Sequence, residues 1–211
     1  QGRLNFTVTN NGVFGSQRGQ DNTSAGCYTA TLEICGRDVN TCLPSAEFPA
    51  CSNLEYLFQG CLWIGAVVDG DTLVSIGEDG WQHDVRELLP SRLFADTLHG
   101  RSILDPYNYT YPTASDVAVS EQDWVCVYTD TTVSNDVPNL TEHVPLGIKV
   151  QQESYCWSYD YSKDYLFVKY TFENIRQDGD TLKSLYLGIY VDGDVGHVDT
   201  PDYAQDDVNG F

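Results

Sequence analysis

No methionine occurs in the 211 residues, and basic residues are scarce, 11 Lys and Arg against 31 Asp and Glu, for a formal charge of −20. So acidic a chain offers no basic footprint for phosphate, which excludes nucleic acid as a partner. Long apolar runs are also missing. The longest, Cys61-Leu-Trp-Ile-Gly-Ala-Val-Val68, is far too short for a membrane-spanning helix, so no membrane span is expected. The four His, at 83, 99, 143 and 197, show no His-Glu-x-x-His or related spacing, which argues against catalytic zinc. No Gly-x-Ser-x-Gly elbow and no phosphate-cradling glycine loop is present. Carboxylates abound, but a glycosidase pair is defined by separation in space, and the sequence nominates none. The expectation is therefore a chain with no catalytic residues.

Helix signals are nearly absent too, confined to His83–Leu89 ahead of Pro90. What is present is strand. Leu4–Thr9, Tyr28–Ile34, Leu62–Val68, Thr72–Ile76, Trp124–Thr129, Ile148–Trp157, Tyr165–Asn174 and Ser184–Asp192 are rich in β-branched and aromatic residues and bounded by turn formers. This pattern predicts a mostly β fold, an antiparallel β-sandwich or jelly-roll-like arrangement, disulfide-containing. One large domain over 1–211 is expected, with a possible division into lobes at about 1–91 and 120–211 joined by the irregular segment 92–119. The terminal strand Leu4–Thr9 alternates apolar and polar residues, so it can pair within its own sheet or add to a neighbour's edge.

Two segments repeat in register 109 residues apart: Tyr56-Leu-Phe58 with Tyr165-Leu-Phe167, and Asp69-Gly-Asp-Thr-Leu73 with Asp178-Gly-Asp-Thr-Leu182. Asp-Gly favours the positive backbone angles of a two-residue hairpin, so each copy reads as a strand, a tight turn and a returning strand.

Seven Cys point to an oxidising compartment and to disulfides. Cys27, Cys35, Cys42, Cys51 and Cys61 crowd into 35 residues without the Cys-x-x-Cys knuckle of a zinc site. Cys126 and Cys156 each sit in a strand-like run and are candidates to bridge neighbouring strands. The odd count leaves one thiol that is free, bonds another chain or pairs beyond Phe211. The start at Gln1 reads as the product of signal-peptide removal, and the chain is expected to continue beyond Phe211. Asn5, Asn22, Asn108 and Asn139 head Asn-x-Ser/Thr triplets, candidate glycosylation sites in an exported chain.

The one local motif with a mechanism is Tyr190-Val-Asp-Gly-Asp-Val-Gly196, followed by Asp206 and Asp207. Alternating Asp closed by Gly follows the logic of calcium loops, so Asp192, Asp194, Asp206 and Asp207 are candidate ligands for calcium, with an acidic surface turn as the other reading. The remaining acids read as a solvated, self-repelling surface. The four Trp and fourteen Tyr divide between core packing and a sugar-stacking platform.

Several phrases together, among them Asn10-Asn-Gly-Val-Phe-Gly15, Tyr56–Ala66, Gly70-Asp-Thr-Leu-Val-Ser75, His143-Val-Pro-Leu-Gly-Ile148, Tyr165–Asn174 and Tyr186–Gly196, give the chain a resemblance to the N-terminal β region of large secreted bacterial proteins that end in a type IX secretion sorting domain. The resemblance implies export across the outer membrane, display on or release from the surface, and further domains after Phe211. The acidic positions Asp192, Asp194, Asp206 and Asp207 match a stretch typical of that region. Residues and resemblance lead to two functional expectations. One is a non-catalytic extracellular structural or adhesive protein, a subunit of a surface layer or fibre that associates with itself or with other surface proteins. The alternative is a carbohydrate-binding accessory module, with glycans as partners, attached to a larger secreted enzyme.

Overall fold

A computed structural model describes residues 3–15, 44–78, 85–90, 98–104, 118–131, 143–179, 181–197 and 200–201. Thirteen strands and no helix occur among them: β1 Asn5–Phe6, β2 Val13–Phe14, β3 Ala46–Glu47, β4 Leu54–Glu55, β5 Gln59–Val68, β6 Asp71–Ile76, β7 Leu89–Pro90, β8 His99–Arg101, β9 Gln122–Thr129, β10 Ile148–Cys156, β11 Phe167–Asn174, β12 Lys183–Asp192 and β13 Gly196–His197. All pairings are antiparallel and build three sheets. The first sheet runs β12-β5, with β2 and β6 sharing the other side of β5; the second runs β11-β10-β9, with β7 and β8 on β9; the third, small one runs β1-β3-β4-β13.

The core forms between the first two sheets, and period-two alternation decides which residues enter it. From β5 come Leu62, Ile64, Ala66 and Val68; from β9 Cys126 and Tyr128; from β10 Ile148 and Val150; Leu88 and Leu146 fill the flank. The predicted mostly β, sandwich-like architecture is therefore observed. Six predicted strands coincide within a few residues with β5, β6, β9, β10, β11 and β12. Residues 85–88 of the short helical candidate are not helical, and Leu89–Pro90 is strand instead. Strands from the two ends of the chain share sheets, β12 with β5 and β13 with β4, so sheet pairing does not follow a division at 91 and 120. The terminal strand takes the in-domain option. Asn5 and Phe6 pair with Glu47 and Ala46, and Val8 bridges Phe14.

The first Asp-Gly copy is a hairpin as read. Asp69 at φ 53° and Gly70 at φ 96° make the two-residue turn that returns β5 into β6. The second copy is not. Asp178 and Gly179 lie between β11 and β12, which belong to different sheets, so the same local chemistry serves a crossover. The local sequence specifies the bend, and the partner strand decides what the bend connects.

The two large sheets are tied by a carboxylate. Asp130, just past the end of β9 and 1% exposed, accepts hydrogen bonds from the Ser75 hydroxyl on β6 at 2.8 Å and from the amides of Leu146 at 2.6 Å and Ile148 at 2.8 Å. At the other end of β9, buried Asp123 accepts from the amides of Val119 at 2.7 Å and Ser120 at 2.8 Å. Beside Asp130, His143 Nδ1 lies 3.1 Å from Glu87 Oε1 and Nε2 lies 3.2 Å from the Asp130 carbonyl, so the imidazolium satisfies both contacts as a double donor. Burial resists that charge, but the hydrogen bond and charge of Glu87, joined by Asp130, outweigh it and raise the His143 pKa above 6.5.

Asp130→Ala leaves a hydroxyl and two amides without their acceptor in the interior, and the expected loss is about 3–5 kcal/mol of unfolding free energy, read from urea midpoints. The His143 contribution is full below the unfolded-state value of 6.5 and disappears as pH rises through the higher folded-state value. Stability measured across that window is expected to fall with pH in the native chain relative to His143→Gln. Parallel curves would show that the imidazole is not charged in the fold.

Candidate functional site

Strand β12 is the edge of the first sheet, and its register on β5 determines where its side chains point. Leu187 lies opposite Ile64 and Ile189 opposite Leu62, so Leu185, Leu187, Ile189 and Val191 extend the core-facing row of β5. Yet Leu187, Ile189 and Val191 are each more than half exposed, whereas Leu62 and Ile64 are buried. The sheet carries its apolar face one strand further than the core covers it. On the opposite face Tyr190 stacks on Trp63 with ring centroids 5.8 Å apart, and Tyr186 is 74% exposed. A bulge between Lys183 and Tyr186, with Ser184 at φ 49°, starts the strand. No strand among the described residues pairs with the outer edge of β12. Its ten residues contain one Lys and one Asp, leaving the strand neutral in a chain of charge −20.

The candidate calcium residues are only partly described. Asp192 closes β12 opposite Gln59, with the Tyr190 hydroxyl 3.4 Å from its carboxylate. Asp194 follows in the link to β13, while Asp206 and Asp207 lie outside the described residues. Among the described residues no group of three or more His, Cys, Asp or Glu is arranged to hold a metal ion. Among the sequons, only Asn5 is described. Its side-chain nitrogen, the atom a glycan would occupy, donates to buried Glu47 at 2.6 Å. Asn22, Asn108 and Asn139 lie outside the described residues.

The expected strand-to-strand bridge between Cys126 and Cys156 does not form. Cys126 is opposite Gln152 and Cys156 opposite Gln122. That offset of four ladder positions separates the two Cys by about 13 Å, roughly twice the Cα spacing a disulfide spans. Cys61, Cys126 and Cys156 are thiols, Cys61 and Cys126 fully buried, and burial pushes the Cys126 thiol up to about 12. No two described cysteines stand at disulfide distance. Cys51 is not among the thiols, and Cys27, Cys35 and Cys42 lie outside the described residues.

An ionic cluster that the sequence did not single out lies on the outer face of the second sheet. Arg101 Nη2 stands 3.6 Å from both Asp123 and Glu153, and Lys169 Nζ lies 2.7 Å from Glu153. Burial resists the Glu153 charge, but Lys169, the Tyr155 hydroxyl and Arg101 outweigh it and hold the carboxyl below its usual range. The cluster compensates its own charges, which is how a fold keeps buried ions rather than how it presents a reactive one. The small sheet holds the opposite arrangement, two carboxylates side by side. Glu47 and Glu55 are directly opposed on β3 and β4, and burial raises the Glu55 pKa despite hydrogen bonds from Ser45 and Ala46, with the Glu47 charge adding to the rise.

No helix among the described residues is long and apolar enough to cross a membrane. No family model, no curated protein and no solved structure matches this chain.

Proposed function

We propose that the protein is a non-catalytic extracellular structural or adhesive subunit that assembles with copies of itself through the β12 edge. The observation that carries this reading is the neutral, ten-residue edge strand whose core-facing row is left uncovered. An open strand edge offers backbone donors and acceptors to an incoming strand, and an apolar row beside it supplies the burial that makes the pairing stable. Charge favours a second copy at this place. Copies carrying −20 repel one another, and β12 is a surface on which they meet without like-charge contact. Antiparallel pairing of two β12 strands about Gly188 sets Leu187 opposite Ile189 of the second copy and Leu185 opposite Val191, extending the apolar row across the junction. Calcium held by Asp192 and Asp194 with Asp206 and Asp207 belongs to the same reading, because it reduces the repulsion next to the strand.

Extracellular placement rests on cysteine usage and on the resemblance to exported β regions; export by the type IX route rests on the resemblance alone. With Cys61, Cys126 and Cys156 as thiols, four of the seven cysteines remain, an even number confined to Cys27–Cys51. We assign the disulfides to that cluster, with Cys51 joined to one of its three neighbours. The alternative, a carbohydrate-binding accessory module, is favoured by a different surface, the aromatic hairpin between β10 and β11.

Denatured without reductant, the protein is expected to release three titratable thiols, and in the native state only half-exposed Cys156 reacts at an appreciable rate. Reduction is expected to cost about 2–5 kcal/mol per bridge. Five or more thiols in the unreduced chain would remove the disulfides and the compartment they imply.

Light scattering and electron microscopy of the intact protein, with and without calcium, are expected to show assemblies that Leu187→Lys with Ile189→Lys converts to monomers, because the pairing then opposes Lys to Lys. Both residues are more than half exposed, so the variant's melting temperature is expected to stay within a few degrees of the native value. An intact protein that stays monomeric at high concentration in both conditions, or a double-Lys variant that assembles unchanged, overturns the reading.

A further inference from the structure

The chain turns from β10 into β11 through residues 157–166, and this hairpin gathers aromatic side chains as no other part of the described surface does. Tyr155 and Phe167 are cross-strand partners on the outer face of the second sheet. Trp157 lies edge-on to Phe167 at 5.9 Å between centroids and tilted beside Tyr155 at 6.4 Å; Tyr165 lies edge-on to Phe167 at 5.3 Å. At the tip Tyr159 and Tyr161 stack at 5.5 Å, and Tyr161 is 76% exposed. In the interior of a sandwich such rings fill the core, as Tyr128 does. Here Tyr159, Tyr161, Tyr165 and Phe167 remain exposed, so core packing does not account for them.

The hairpin is also held still. The Lys163 amide donates to the Tyr159 carbonyl at 2.9 Å, the Arg3 amide donates to the Lys163 carbonyl at 2.7 Å, and Arg3 Nε donates to Asp164 at 2.6 Å. The Tyr165 hydroxyl donates to the Tyr161 carbonyl at 2.6 Å, and the Ser158 amide to Glu121 at 2.9 Å. The terminal segment thus strap-fastens the loop that carries the rings, and a surface ordered before binding loses less entropy when a ligand arrives.

We propose that this hairpin is a binding platform for neutral polysaccharide. The C–H faces of a pyranose pack on tyrosine and tryptophan rings, while its hydroxyls need acceptors and donors at the rim, a division of labour that aromatic side chains with polar tips also provide. The rim is present. The carboxylates of Asp160 and Asp164 and the Lys163 ammonium flank the rings, with Asp160 bound to Lys163 at 2.5 Å in a surface ion pair that exchanges readily with a competing hydroxyl. Charge selects among sugars. The platform is itself balanced, Asp160 paired with Lys163 and Asp164 with Arg3, so it holds no net charge for an ionic glycan, while the −20 of the whole chain repels uronates and sulfated glycans and leaves uncharged polymers. The polar rim also separates this surface from the β12 row, whose exposed residues are aliphatic and suit a protein strand.

The platform is tested by affinity electrophoresis of the intact protein in gels containing hydroxyethylcellulose, mannan or laminarin, with polygalacturonate as the anionic comparison. Retardation in at least one neutral gel and none in polygalacturonate is expected. Tyr161→Ala with Tyr165→Ala is expected to weaken binding about tenfold per ring removed. Tyr186→Ala, an exposed ring on β12, is expected to change nothing, and Trp157→Phe to retain most of the binding that Trp157→Ala loses. Thermal melts identify any variant that has lost the fold, and Tyr161→Ala alone, at the most exposed ring, then decides. No retardation in any neutral gel, retardation by polygalacturonate alone, or equal retardation of native and ring-deleted chains overturns the proposal. So does a ring deletion that dissolves an assembly without altering sugar retardation, since the hairpin is then a protein contact. The double-Lys variant of β12 leaves these rings in place, so failure of sugar binding and failure of assembly are read separately.

Discussion

One buried carboxylate holds the sandwich in register. Asp130 receives a hydroxyl from β6 in one sheet and two amides from the segment leading into β10 in the other, so neither sheet can shift without leaving donors unmet. The cost of an unmet buried donor is larger than the gain from a met one, which makes such a group a lock more than a source of stability. Asp123 performs a similar service at the other end of β9 through the Val119 and Ser120 amides. The strand between them, carrying Cys126 and Tyr128 into the core, is bracketed by aspartates.

This arrangement changes the meaning of the acidic composition. Read as a list, so many carboxylates suggest a solvated surface. In the fold Glu47, Glu55, Glu78, Asp123, Asp130 and Glu153 are buried. Each lies among donors: backbone amides for Glu47 and the two aspartates, an arginine for Glu78, a hydroxyl and an amide for Glu55, a lysine for Glu153. Part of the −20 is therefore structural, and the rest repels other copies except at neutral places such as β12 and, on the other sheet, β11, where one Lys offsets one Glu.

The two proposed surfaces follow from a single architectural fact. Sheets end at edge strands, and here β11 and β12 are the edges of the second and first sheets. At β12 the apolar row runs past the cover of the core, leaving aliphatic side chains beside an open backbone. At β11 the hairpin into β10 turns outward with its rings and is pinned by Arg3. The first is the surface proposed for a strand and the second the one proposed for the C–H face of a sugar. They are distinct in composition as well as position.

What the sequence determined by itself is local. Runs of β-branched and aromatic residues between turn formers located β5, β9, β10, β11 and β12, because such side chains fit a pleated strand and the residues that flank them bend the chain. Asp69-Gly70 likewise carried its turn in its own backbone preference. What only the tertiary structure decided is pairing. Asp178-Gly179 has the same letters and joins two sheets; Cys126 and Cys156 sit in neighbouring strands but at rungs too far apart to bridge; Val191 looks as apolar as Val150 and is exposed, because it lies on a strand whose outer edge no described strand pairs. Burial, register and the identity of an edge are properties of what lies opposite, and a residue's own chemistry does not contain them.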